Sequence, residues 1–362
     1  LLTVRKDAVV VGLGAFGSAA LWRLATRGLN VAGIEQHGVG HDQGSSHGGT
    51  RLFRIACMEH PGLSPIAMKS LELWTSLSAE TGETYVRQTG LLYVGNPDSK
   101  AITGPQAAGV PVELLTHAQV VERQPQYNVQ PGQIGVWDPG AGICYPERNV
   151  RAHVAAAQRL GADVHTNTNV LAIEGTTVYT PTLAIEADQI VIAAGAGLRH
   201  FVPDLPLKHV PTPVNWFRPK DSFALEKFPA FVWDFSDEMG LWGHGSAEDY
   251  AVKIGAHPVD TVNVEDAVAQ AFPSLDPIPF DVKPCHVTDS PDEQFLVGRL
   301  SEHVTVAGGD SGHGFKHCAG IGELLAQIAT GEPTYCSTDF MNPHRFSGEP
   351  GRPPNRSAGL GA

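Results

Sequence analysis

Three glycines and one acid near the start of the chain carry the first legible chemistry. Gly12-Leu-Gly14-Ala-Phe-Gly17 follows the apolar run Val9 to Val11, and Glu35 ends a second apolar run one helix length later. Glycines at this spacing allow a tight turn and a helix N-terminus to present bare backbone N–H groups to a pyrophosphate, and a carboxylate at the end of the next strand can accept both ribose hydroxyls. The pattern predicts an adenine dinucleotide site touched by Gly12, Gly14, Gly17 and Glu35. The fingerprint alone does not choose between FAD and NAD.

The elements that must position these groups follow from local pattern. Ser18 to Arg27 reads as a helix packed through Ala19, Ala20, Trp22, Leu24 and Ala25 and stopped by Gly28, and Asn30 to Glu35 reads as the second parallel strand. Gly38 to Gly49 is polar and glycine-rich, too flexible to fill a core, and Leu63 to Ser78 is helical. Tyr85 to Val94 reads as one strand with a turn or bulge at Thr89-Gly90, and Val110 to Val121 as helical material. Short strands are expected at Gly135 to Trp137 and Gly142 to Tyr145, a helix at Glu147 to Leu160, and a buried strand within Ile185 to Gly197.

From Val210 to Gly255 the pattern changes to strands rich in aromatics, including Trp216, Phe217, Phe231, Trp233 and Trp242. Strand and helix signals of the nucleotide type return at Val304 to Gly309 and near Cys318. The expected fold class is α/β, a Rossmann-like dinucleotide-binding domain with an inserted mixed or antiparallel-sheet substrate domain. The expected boundaries are 1–85, 145–208 and 286–345 for the cofactor domain, 86–144 and 209–285 for the substrate domain, and a loose tail over 346–362.

Composition narrows the partners. The chain has 362 residues, 42% hydrophobic and 17% charged, enough to fill a large core, and its 40 glycines and 27 prolines imply many turns rather than a bundle. A net charge of −13 opposes binding to nucleic acid or an anionic membrane and favours a small-molecule partner. Five scattered cysteines suggest neither a disulfide framework nor a metal cluster, and no metal ligand set is expected. Leu1 to Lys6 runs straight into the first strand without a leader pattern, and no apolar run reaches spanning length, so a cytoplasmic setting is expected.

Further along, Gly44-Ser-Ser-His47-Gly-Gly-Thr50-Arg51-Leu-Phe-Arg54, Lys253-Ile-Gly-Ala-His257, Cys285 followed by Asp289-Ser-Pro-Asp292, and Ser311-Gly-His313-Gly-Phe-Lys316 appear in order behind the nucleotide fingerprint. Taken together, from Val9 to about Arg345, the chain resembles the monomeric sarcosine oxidase and N-methyltryptophan oxidase family of D-amino-acid-oxidase-like flavoproteins. The resemblance implies FAD, oxidation of a secondary amine, reduction of oxygen to hydrogen peroxide, and a monomer.

It also implies roles residue by residue. Cys285 matches the cysteine joined through sulfur to the flavin, and Ser45, Thr50, Arg51, Gly312, Gly314, Phe315 and Lys316 fall in the matching cofactor segments. Arg54 and Lys316 match the pair that fixes the substrate carboxylate, a task suited to a planar guanidinium and an ammonium. Lys253 matches the lysine at the oxygen site, His257 a pocket histidine, and His47 and Arg51 groups that tune the field around the ring. Trp242 stands where the family has a pocket tyrosine and His244 near a family aromatic, both expected against substrate. Ser46 and Gly49 replace a frequent His and Asp, which removes one titratable ring and one acid beside the pocket.

The function expected on this resemblance is an FAD-dependent oxidase of N-methyl or other secondary amino acids. A deglycating oxidase of fructosyl amino acids and a flavin amine dehydrogenase are the near alternatives. A flavin-binding sensor without turnover is the alternative of a different class.

Overall fold

The computed structural model describes residues 2–346, apart from Pro219 and Asp249. Strand Leu2–Val11 lies between Val31–Ile34 and Leu183–Ile192, parallel to both. Asp163–His165 adds in parallel beyond Val31–Ile34, and Val304–Gly308 in parallel beyond Leu183–Ile192. Val9, Val10 and Val11 are buried, as the apolar run requires of a parallel sheet covered on both faces. Three antiparallel strands, Ala172–Glu174, Thr177–Tyr179 and Leu296–Arg299, complete eight. Helices Ala15–Thr26, Leu63–Thr81, Pro146–Arg159 and Cys318–Thr330 contribute to one apolar core against this sheet.

A second eight-stranded sheet runs in the order Asp281–Asp289, Lys208–Phe217, Val252–His257, Met239–His244, Ala230–Ser236, Leu91–Gly95, Ile134–Asp138, Glu113–Leu115. Every pairing is antiparallel except Ala230–Ser236 with Leu91–Gly95. The aromatics of the 210–255 stretch account for much of its core: Phe217, Phe223, Phe228, Phe231 and Trp233 pack with Phe272. A small third sheet joins Arg51–Phe53, Gly142–Cys144 and Val86–Gln88. Among the described residues, no helix is long and apolar enough to cross a membrane.

Three sequence expectations change. Tyr85 to Val94 is two strands in two different sheets, Val86–Gln88 and Leu91–Gly95. Gly90 breaks them apart with φ +81°, in a position where a Cβ would stand 1.9 Å from the Trp137 ring. Val110 to Val121 is a strand, Glu113–Leu115, followed by a helix, His117–Arg123, which Thr116 and Gln119 start with a reciprocal capping box. Strand Asp281–Asp289 carries the second sheet past the expected border at 285/286. The expected tail lies, beyond Phe346, outside the described residues.

Candidate functional site

A cavity of about 1380 Å³ takes its walls from both large sheets. At one end it opens over the carboxyl ends of the parallel strands, where Val11, Ile34 and Ala193 line it, the usual crevice for a dinucleotide. Gly12 has φ +86° and a Cβ there would lie 2.7 Å from the Ala193 carbonyl oxygen, while a Cβ on Gly17 would lie 1.8 Å from the Gly12 oxygen. The turn therefore closes only with glycine at both places. Helix Ala15–Thr26 has no side-chain cap from its own N-cap residue, Gly14. Ser46 reaches over instead and its hydroxyl accepts from the Ala15 N–H at 2.9 Å.

Glu35 is buried at this end. One carboxylate oxygen accepts from Leu13 N–H at 2.8 Å; the other accepts from His37 N–H at 3.0 Å and lies 3.3 Å from His41 Nε2. Burial raises its pKa, but these hydrogen bonds, led by His41, outweigh it and hold the carboxyl below its usual value. Since a carboxylate offers about four acceptor positions, three of them engaged by the chain leave about one for a ribose hydroxyl while His41 stays in place. Glycine turn, helix N-terminus and acid together fit an adenine dinucleotide.

The middle of the cavity is built on the loop Gly44 to Arg51. Arg51 Nη2 donates to the Ser45 carbonyl at 3.1 Å and lies 3.5 Å from Cys285 Sγ. Lys253 stands behind this wall, fully buried, donating to the carbonyls of Gly48 at 2.6 Å and Thr50 at 2.5 Å, with its ammonium 5.2 Å from the Trp216 ring centre. Burial, and then the Arg51 charge, push its pKa well down, against the pull of Glu147. His47 is buried beside them with Nε2 lacking a partner among the described residues, and burial followed by Arg51 lowers its pKa too.

Gly48 and Gly49 both have left-handed φ, +98° and +75°, and a Cβ on Gly49 would meet the Tyr250 ring at 2.4 Å. An aspartate cannot occupy that place without moving Tyr250. A carboxylate arrives from elsewhere: Glu147, at the start of helix Pro146–Arg159, accepts from Gly48 N–H at 2.7 Å and Gly49 N–H at 3.1 Å.

At the other end Arg54 and Lys316 are buried on one wall. Arg54 is paired with Glu59, and Lys316 Nζ lies 3.9 Å from the same Glu59 oxygen and donates to the His313 carbonyl at 2.7 Å. Burial, and then the Arg54 charge, lower Lys316 to about 8, with Glu59 opposing. Burial raises Glu59, but Arg54 and Lys316 overcome it and keep the carboxyl well below its usual range. Trp242 lines the cavity near Leu52 and Val232, its indole lying on Gly255, where a Cβ would be 2.3 Å from the ring.

Of the residues singled out from sequence, Gly12, Gly14, Glu35, Ser45, Arg51, Arg54, Trp242, His257, Cys285, Gly312, Gly314, Phe315 and Lys316 line the cavity. Gly17, His47, Thr50 and Lys253 sit behind its wall. His244 does not reach it: the ring is fully buried with Nε2 2.8 Å from Thr50 Oγ1 and Nδ1 2.7 Å from the Gly245 carbonyl, so it braces Thr50 instead of facing a substrate. Sequence reading missed Glu59, Glu147 and Asp310. Asp310, raised to about 6 by burial, accepts from Thr288 Oγ1 at 3.1 Å and Gly312 N–H at 3.1 Å, tying the loop that leads to Lys316. The Pro-Glu opening of a helix was the one signal for Glu147; no periodicity marks Glu59 or Asp310.

Comparison with known proteins agrees with this geometry. The chain is 30% identical to a monomeric sarcosine oxidase of Streptomyces avermitilis, over 95% of this chain and 98% of that protein. It is 29% identical to an N-methyl-L-tryptophan oxidase of Yersinia pestis, over 94% and 99%. Among solved structures, L-proline dehydrogenase from P. horikoshii superposes with a TM-score of 0.82 at 22% identity, over 96% of this chain and 99% of that one, a likeness of fold. Residues 7–328 match the DAO family, FAD dependent oxidoreductase, and with that match spanning most of its length the chain belongs to this family.

Proposed function

We propose that this protein oxidises N-methyl or other secondary amino acids and passes the electrons to oxygen. The observation that carries the reading is the buried cation pair Arg54 and Lys316 on one wall of the cofactor-sized cavity, with Glu59 leaving it one net positive charge. A single carboxylate neutralises such a site, and a carboxylate held there fixes the rest of a small amino acid in one orientation. Its relatives named for sarcosine and N-methyl-L-tryptophan support the same class of amine.

Bound FAD would supply the two-electron acceptor. Gly12, Gly14, Glu35 and Ser46 are the residues to hold its adenosine and pyrophosphate, and Ser45, Arg51, Cys285 and Gly312 to Phe315 its ring system, with Cys285 as the point of covalent attachment. Arg54 and Lys316 orient the substrate, and Trp242 and His257 shape the space around its nitrogen substituents. A hydride leaves the carbon next to nitrogen and the substrate becomes an iminium, which water splits into an aldehyde and an amine. An N-methyl group gives formaldehyde and the primary amino acid. Two electrons and two protons convert dioxygen to hydrogen peroxide, a step in which the Lys253 ammonium stabilises negative charge developing on oxygen. The protein acts as a monomer in this reading, and the two large sheets are its cofactor and substrate domains.

The test is an anaerobic spectral titration of the holoenzyme with N-methyl amino acids, glycated amino acids and simple D-amino acids. Bleaching of the flavin band by N-methyl amino acids is expected. Bleaching by D-amino acids alone overturns the reading, and preference for glycated amino acids transfers it to a deglycating oxidase.

A further inference from the structure

Glu147 belongs neither to the cavity lining nor to any motif singled out from sequence, yet its carboxylate holds two consecutive N–H groups of the loop that surrounds Lys253. Its Oε1 accepts from Gly48 N–H at 2.7 Å and from Gly49 N–H at 3.1 Å, and its Oε2 from Gly49 N–H at 3.1 Å. Two consecutive backbone N–H groups converge on one carboxylate, the arrangement by which a turn binds an anion. Here the anion is supplied by the chain.

The consequence appears on the other side of the Gly48–Gly49 peptide unit. With its N–H groups turned toward Glu147, the two-glycine turn directs the Gly48 carbonyl at Lys253 Nζ, and the next carbonyl but one, that of Thr50, completes the grip. The turn closes on itself through the Thr50 N–H, which donates to the Gly48 carbonyl at 2.8 Å. Left-handed φ at both glycines leaves no side chain between carboxylate and ammonium, and a Cβ on Gly48 would come within 3.2 Å of Lys253 Nζ. A loop of this composition has little of its own to hold that shape. Glu147 does, from a rigid helix whose first position is proline.

Charge works in the same direction. Arg51 and Lys253 are neighbouring cations and repel, whereas Glu147 favours the charged lysine.

We propose that Glu147 is the positioning residue for Lys253: it fixes the turn Gly48 to Thr50, whose Gly48 and Thr50 carbonyls aim the ammonium, and it acts on the oxygen step without touching substrate. This rests on the oxygen-site reading of Lys253 given above, and the test separates the two. In Glu147→Ala, reoxidation of the reduced holoenzyme by oxygen, followed by stopped-flow absorbance, is expected to slow by about tenfold, as expected where loss of aim weakens one charge contact in a transition state. Anaerobic reduction by substrate, and the substrate dependence of that reduction, are expected to stay within about twofold, because Arg54 and Lys316 are held by Glu59 and the His313 carbonyl and not by Glu147 or the glycine turn. Glu147→Gln, which keeps an acceptor oxygen and the volume, should recover part of the lost rate, and serves alone if the alanine variant does not fold. Independently of turnover, hydrogen exchange at the Gly48 and Gly49 amides should accelerate in the alanine variant and remain slow in Lys253→Met. Equal slowing of both half-reactions, or unchanged amide exchange, overturns the proposal in favour of a general structural role. A slow Lys253→Met beside a normal Glu147→Ala removes Glu147 and leaves the oxygen-site reading standing; a normal Lys253→Met removes both.

Discussion

Arg54 and Glu59 form an ion pair in which both side chains are almost wholly enclosed, 5% and 2% exposed, yet Arg54 Nε and Nη1 and Glu59 Oε2 find no partner among the described residues. Buried polar groups ordinarily find partners, so Arg54 keeps hydrogen-bonding capacity beyond its pairing with Glu59. With Lys316 at 3.9 Å the cluster holds two cations and one anion. Glu59 is thus an internal counter-ion for a pair that would otherwise be difficult to bury at all.

Replacing Glu59 with Gln leaves two cations facing each other without an anion. Removing one partner of a buried pair costs about 3–5 kcal/mol, so the melting temperature of the variant should fall. A small carboxylate such as propionate supplies the absent charge, and it should raise the melting temperature of the variant by more than it raises that of the wild type. Differential scanning calorimetry with and without propionate reads both. Equal ligand-induced shifts would remove Glu59 from the carboxylate site.

The pH dependence of the same site has a definite sign. Burial and the Arg54 charge lower Lys316 to about 8, so the lysine is charged below that value and neutral above it. A bound carboxylate favours the charged form. Propionate affinity should therefore be level below about pH 8 and weaken by up to about tenfold per unit above it, as a proton must be taken up on binding. Propionate has no amine to titrate, so the profile reports the protein. Titration of the flavin spectrum across this range is the measurement, and Lys316→Met should give a weak, flat profile. Undiminished affinity well above the shoulder would count against Lys316 as an anchor.

Much of the cofactor end was legible because its constraints are local. Gly12, Gly14, Gly17 and Glu35 are bound to one strand–turn–helix–strand unit, and the spacing of that unit is written in consecutive residues. The buried valines identified the strand for the same reason. The cation pair was visible only through the family resemblance, since Arg54 and Lys316 are far apart in sequence and meet only after both sheets form. Glu59 and Glu147 act through contacts with loops that carry no periodic signal, and His244 lies on a strand whose alternation did not reveal which face meets the cavity. In the 85–94 stretch the turn or bulge at Thr89-Gly90 was legible, but not that Gly90 divides two strands into different sheets, because the β-type residues on both sides carry no sign of which sheet each joins.

Gly90 itself offers a test of that division. At φ +81° an alanine is strained, and its Cβ would stand 1.9 Å from the Trp137 ring. Gly90→Ala should destabilise the protein by about 2 kcal/mol or more, combining backbone strain with overpacking. Pairing it with Trp137→Ala should relieve the steric part and leave the strain, an interaction that a double-mutant cycle in urea isolates. Additive losses would show that ring and turn do not meet.

Cys285 is, among the described residues, the one cysteine in the cavity wall; Cys57, Cys144 and Cys318 are buried away from it. Arg51 Nη2 lies 3.5 Å from its sulfur, and both groups converge on the Ser45 carbonyl. A thiol held beside a cation at the edge of the cofactor space is suited to forming a bond there. If it does, acid precipitation of the wild-type holoenzyme should carry the yellow colour down with the polypeptide, whereas Cys285→Ser should bind FAD and release it to the supernatant. The other buried cysteines provide the control, because Cys144→Ser should leave the cofactor attached. Release of all the flavin from the wild type would end the covalent assignment, while retention in Cys285→Ser would move the attachment to a different residue.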